Sequence, residues 1–148
     1  MNGINYNKFR TFFNGKSQNT EQSKGTTVTS NLNDEALNSM TKTSLTLLHE
    51  RSEREVPENG NFTLVGAIFN IPSSDNQALL SVGHDETDPK TQRLFRVGVR
   101  HKHSDKITSH ILKSGTKQEI LDYLKNPENI EAVKKSVLEL SEFVDNNH

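Results

Sequence analysis

Residues 92–102, QRLFRVGVRHK, place Phe95, Val97, Val99 and His101 on one side of an extended chain and Leu94, Arg96, Gly98, Arg100 and Lys102 on the other. A period of two marks a strand with one face turned to a core. The chain around it supplies neighbouring strands. NFTLVGAIFNI, residues 61–71, is the most apolar stretch of the chain, rich in branched and aromatic residues. The turn PSSDN leads to a second run, QALLSVG, at 77–83, and the acidic loop HDETDPK, 84–90, leads into the alternating segment. Beyond it, HSD reads as a turn and KITSHILK, 106–113, as a fourth strand hairpinned to the third, with a helix as the other reading of that segment.

Helical patterns flank these runs. Residues 33–54 carry Leu37, Met40, Leu47 and Leu48 on one stripe, with Thr41 and Ser44 on the same side. Asn31 or Asn33 can cap this helix, Asp34 and Glu35 suit its positive end, and PENG at 57–60 stops it. Ser114 or Thr116 caps KQEILDYLKN, and Asn126 with Pro127 opens a final helix to about residue 145. Ile130, Val133, Val137, Leu140 and Val144 form an apolar seam along it, short enough to face a sheet, or else to pair two copies. The expected fold is α+β: a four-stranded antiparallel meander, one helix before it and two after it, all packed on one sheet face, with residues 32–148 as a single domain.

Residues 1–31 read differently. The stretch 14–31, NGKSQNTEQSKGTTVTSN, has Val28 as its one large apolar side chain and cannot offset its ordering entropy, so it reads as largely disordered. Ahead of it Tyr6, Phe9, Phe12 and Phe13 form a short aromatic stretch able to dock on the domain or bind a partner. Apolar residues make up 30% of the 148, against roughly 45–50% in an average domain. The absence of cysteine excludes disulfides, thiolate metal sites and cysteine nucleophiles. With no apolar leader-like segment at residues 1–15 and no run of membrane-spanning length, a soluble, cytoplasmic protein is expected, with export by a non-standard route left open.

Net charge is -1, but it is blocked: +3 over residues 1–30, -7 over 31–89, +7 over 90–117 and -4 over 118–148. The basic block holds RVGVRHKHSDKITSH, which invites two chemical readings. His101 and His103, two apart, could ligate a metal, with His110 as a third ligand. However, keeping Ile107 and Ile111 on the core side sets Gly98 opposite His110, on the far face of the sheet from His101. A third ligand would then have to come from His84, Asp85 or Glu86, and no metal or cofactor is expected. The same register places Arg96, Arg100, Lys102 and His110 on one face, with Arg93 and Lys113 near the strand ends, as an anion- or partner-binding set.

A helix, three antiparallel strands and a helix is an order similar to that of double-stranded-RNA-binding domains. The helix after the sheet departs from them: it begins SGTKQEILDYLK, with one Lys before Gln and Glu, where those domains carry a lysine-rich signature. Type III secretion chaperones combine helices and sheet at similar size, but they carry two further strands between later helices, and none is found here after residue 116. Glycine-rich phosphate loops, the G-x-S-x-G elbow and H-E-x-x-H are all missing. The expected function is therefore a small non-catalytic binding protein acting by protein–protein recognition in an accessory, inhibitor, immunity or chaperone-like role, with homodimerisation open. Two alternatives stand beside it: a nucleic-acid-binding module using the basic face, and a phosphodiesterase or nuclease using His101 or His103.

Overall fold

The computed structural model describes residues 19–20, 30–56 and 64–147. The expected architecture is present: one helix, an antiparallel meander of four strands, then two helices. Helix α1 spans Ser30–Arg54, and the meander runs β2 (Val65–Asn70), β3 (Asn76–His84), β4 (Arg93–His101) and β5 (Thr108–Gly115). Helix α2 (Lys117–Lys125) follows, then a 3-10 turn at Pro127–Asn129, then α3 (Ile130–Asn146). A two-residue strand, β1 (Asn19–Thr20), pairs in parallel with Ile68 and Phe69 of β2 and makes the sheet five-stranded, in the order β1-β2-β3-β4-β5. Apart from this pair and the first residues of α1, the polar N-terminal segment, including Tyr6, Phe9, Phe12 and Phe13, lies outside the described residues.

The helices cover one sheet face, and the alternation explains which. Phe69 of β2, Ala78, Leu80 and Val82 of β3, and Phe95, Val97 and Val99 of β4 pack with Leu37, Met40, Leu45 and Leu48 of α1, Ile120 and Leu124 of α2, and Val133, Val137 and Leu140 of α3. Leu45 takes the place expected for Leu47, which is half-buried. Thr41 and Ser44 lie on the buried stripe of α1 as expected, and Thr41 Oγ1 donates to the Leu37 carbonyl at 2.7 Å. The apolar seam of α3 packs inside the protein's own core: Val133, Val137 and Leu140 are buried, and Ile130 and Val144 pack against them.

Local sequence sets the element ends. Thr116 caps α2 through a reciprocal box, its Oγ1 accepting from the Glu119 N–H while Glu119 Oε1 accepts from the Thr116 N–H at 2.8 Å. Gly115 there has φ 157°, a conformation side chains rarely adopt, and a Cβ would also lie 2.4 Å from the Glu119 Oε1 that closes the box. Asn126 caps the 3-10 turn, with Pro127 as its first residue. Lys117 Nζ donates to the carbonyls of Glu53 and Glu55, which gives the negative end of α1 a cation. Lys134 of α3, nearly buried, reaches Asp34 at 3.6 Å and Asn38 at 3.3 Å on α1. Asn76, at the start of β3, donates through Nδ2 to Ser141 Oγ at 2.8 Å and Asp145 Oδ1 at 2.9 Å, which fastens the sheet to the end of α3. No helix among the described residues is long and apolar enough to cross a membrane.

Phe95→Ala removes a ring with 0% exposure that packs 5.7 Å from Tyr123, and should destabilise the fold by about 3–5 kcal/mol in chemical denaturation. Asn76→Ala should cost about 1–3 kcal/mol by leaving Ser141 and Asp145 without their donor. A change below about 0.5 kcal/mol, the size of an ordinary surface substitution, would contradict either assignment.

Candidate basic recognition site

Arg96, Arg100, Lys102 and His110, expected on one face with Arg93 and Lys113 near the strand ends, do not form one exposed set. β3 and β4 are buried along most of their length, on both faces. On the face away from the helices, Ile68 and Leu79 are enclosed, and so are Arg96 and Arg100, at 7% and 8% exposure. The expectation of an exposed arginine face is thereby corrected. The Arg100 guanidinium donates from Nε to Gln77 Oε1 at 3.1 Å, and Gln77 Nε2 donates to Asn70 Oδ1 at 3.0 Å. These three residues are Cα partners in register, so they form a polar row across β4, β3 and β2. Arg96 stands opposite Ser81, whose buried Oγ has no hydrogen-bond partner among the described residues. Burial pulls both guanidinium pKa values down, opposed by Glu86 near Arg96 and by Asp105 near Arg100. A long apolar stem lets an arginine occupy such a site while its head keeps polar company.

Arg93 lies on the helix side instead. Burial lowers its pKa and Glu55, just beyond α1, raises it. Its Nη1 also donates to the Lys90 carbonyl at 3.4 Å. Lys102 sits in the turn after β4, where its N–H donates to the Asp75 carbonyl at 2.9 Å and its Nζ pairs with Asp75 Oδ1 at 3.4 Å.

His110 and Lys113 belong to β5, and here the pairing differs from the expected register by one. Val97, not Gly98, opposes His110, and Arg96 opposes Ile111. A bulge between Phe95 and Arg96 then restores the expected offset, so that Phe95 opposes Lys113 and Leu112 is the extra residue. The slip turns Ile111 outward, to 44% exposure, while Leu112 packs against the helix-side core in its place. Ile107 remains buried outside that core cluster. The slip is tolerated because the bulge supplies a replacement apolar side chain.

β5 is the last strand of the sheet, and no described strand pairs with its outer side. It is the least buried of the four meander strands. From Lys106 to Gly115 the chain carries Lys106, His110 and Lys113 and no carboxylate. Lys106 and His110 are exposed, as is Ile111, and Lys113 is half-exposed. Within the basic block, Lys106, His110 and Lys113 are therefore accessible at or just before this edge, while Lys90 and Lys102 are exposed in the loops at the two ends of β4.

The metal reading gains no support from the geometry. The His101 and His103 rings lie 5.5 Å apart, and His101 Nδ1 already accepts the His103 backbone N–H at 3.2 Å. Among the described residues, no three His, Cys, Asp or Glu side chains cluster as a metal site would require. In the acidic loop Asp85 accepts from the Thr87 N–H at 2.9 Å and Thr87 Oγ1 at 2.8 Å. These bonds hold its carboxyl below the ordinary carboxylate pKa and commit it to the turn. A groove of about 430 Å3, which no sequence pattern marks, lies where α1 meets the α2–α3 corner, lined by Lys42, Leu45, His49, Glu53, Leu124 and Ile130. His49 Nδ1 and Glu53 Oε1, one helical turn apart on α1, come within 3.9 Å of each other in it.

Arg100→Ala should lower stability by about 1–3 kcal/mol, because it leaves Gln77 unsatisfied and removes a packed stem. Arg96→Ala should lower it comparably, whereas Lys113→Ala should change it by less than about 0.5 kcal/mol. Denaturation midpoints that rank Lys113→Ala with the arginines would overturn this division. Comparison of the chain with known protein families, curated proteins and solved structures returns no match.

Proposed function

We propose that this protein is a non-catalytic binding protein that recognises an acidic protein partner through the basic edge of its sheet. The observation that carries the reading is the split of the basic block: Arg96 and Arg100 are enclosed, while Lys106, just before β5, and His110 and Lys113, within it, lie along an edge that no described strand pairs with, beside the exposed Ile111. A partially apolar strip rimmed by one sign of charge suits a protein surface of opposite charge. It suits a polyphosphate backbone less well, because nucleic-acid affinity needs many accessible cations and the two strongest phosphate-gripping side chains are buried here. Lys102 is already paired with Asp75. The aromatic stretch of Tyr6, Phe9, Phe12 and Phe13 stays a candidate second contact for the same partner.

The full chain, immobilised and exposed to an extract of its source cells, should retain a protein that survives nuclease treatment and is released as salt rises. The double variant Lys106→Glu with Lys113→Glu should fold normally and lose that protein. Retention of nucleic acid in its place, or of the same protein by the charge-reversed variant, would contradict the reading.

A further inference from the structure

The position of the basic edge on the sheet constrains the shape of what binds. β5 has eight residues, about 26 Å at 3.3 Å per residue. One side of it is bonded to β4 and the other faces no described strand. A strand in this position presents a row of N–H and C=O groups that a second extended segment can complete. No proline interrupts residues 106–115. The opposite edge of the meander is different, since β2 is met there by β1 at Ile68 and Phe69.

Charge decides among the segments that could add. A second copy, pairing β5 with β5, would bring both sets of Lys106 and Lys113 along one seam, where like charges destabilise cross-strand pairs. Lysines on an edge also discourage pairing with neutral or basic strands. An acidic strand is the one class for which the same side chains are attractive. The bulge at Leu112 bends the far end, so the regular template is Thr108–Ile111, with Lys113 next along the chain.

Resting on the proposed recognition of an acidic protein, we infer that β5 receives an extended acidic segment of that partner, which adds to the sheet as a further strand. Main-chain hydrogen bonds fix its register, Lys106 and Lys113 meet its carboxylates, and Ile111 covers an apolar side chain between them.

The probe is a synthetic peptide alternating glutamate with valine, titrated into the isotopically labelled full chain. Amide resonances of residues 108–113 should shift, and exchange of the outward β5 amides should slow. Methylating alternate peptide nitrogens, which removes ladder donors and leaves the charge, should weaken binding by about tenfold or more. Replacing glutamate by lysine in the peptide, or Lys106 and Lys113 by glutamate in the protein, should do the same. Absence of any shift in β5 at millimolar peptide, or equal binding by the methylated peptide, would overturn strand addition. If the cellular protein is still captured in a Lys106- and Lys113-dependent manner when the peptide fails, charge recognition stands and strand addition falls. If capture fails as well, both fall.

Discussion

The pairing of β3 with β4 is the contact on which the rest of the molecule is arranged. Nine residues of each strand run in register from Asn76 opposite His101 to His84 opposite Arg93. Both strands are enclosed on both faces over most of this length. On one face the enclosure is conventional: Leu80, Val82, Phe95, Val97 and Val99 meet three helices. On the other it takes in Leu79 and Ile68, but also Ser81, Gln77, Arg96 and Arg100. A chain with few apolar residues has to enclose polar ones, and it does so here by linking Arg100, Gln77 and Asn70 across three strands. The energetic logic is that of any buried polar row: satisfied it is tolerable, and with one member removed it is costly.

This arrangement fixes what remains for a partner. With the central strands closed, Arg96 and Arg100 are withdrawn, and the basic side chains left accessible are those of the loops at the ends of β4, Lys90 and Lys102, and those along β5, Lys106, His110 and Lys113. The slip between β4 and β5 adds to this by exchanging Ile111 for Leu112 in the core and leaving Ile111 at the surface beside Lys113 and His110. One bulge therefore gives the edge its apolar side chain.

Much of the fold was legible because periodic signals dominate it. The alternation at Phe95, Val97 and Val99, the capping residues Thr116 and Asn126, and the 3-4-3-4 stripe of α3 each led to the observed element and the observed inward face. Leu47 and Leu45 exchanged roles because they stand two apart on α1 and both border its stripe. The candidate site was much less legible. Alternation places Arg96 and Arg100 away from the helices, but it does not say whether that second face is open to water. Arginine in a strand suggests solvent, yet its stem can be enclosed while Nε finds an amide oxygen, as Arg100 does. The bulge was invisible for a related reason. Ile107, Ile111 and Leu112 offer two registers of similar apolar content, and the choice between them depends on a side chain from either neighbour filling the same volume. The groove beside α1 depends on helices distant in sequence, and spacing alone does not predict how they converge.

β3 and β4 are closed on both faces, while no described strand pairs with the outer side of β5. Amide hydrogen exchange of the free protein tests it most directly. The paired amides of β3 and β4 should exchange slowest, at the rate set by global unfolding, and β5 should alternate residue by residue between amides held by β4 and amides open to water. Uniform slow exchange along β5, or rapid exchange at Arg96 and Arg100, would contradict it.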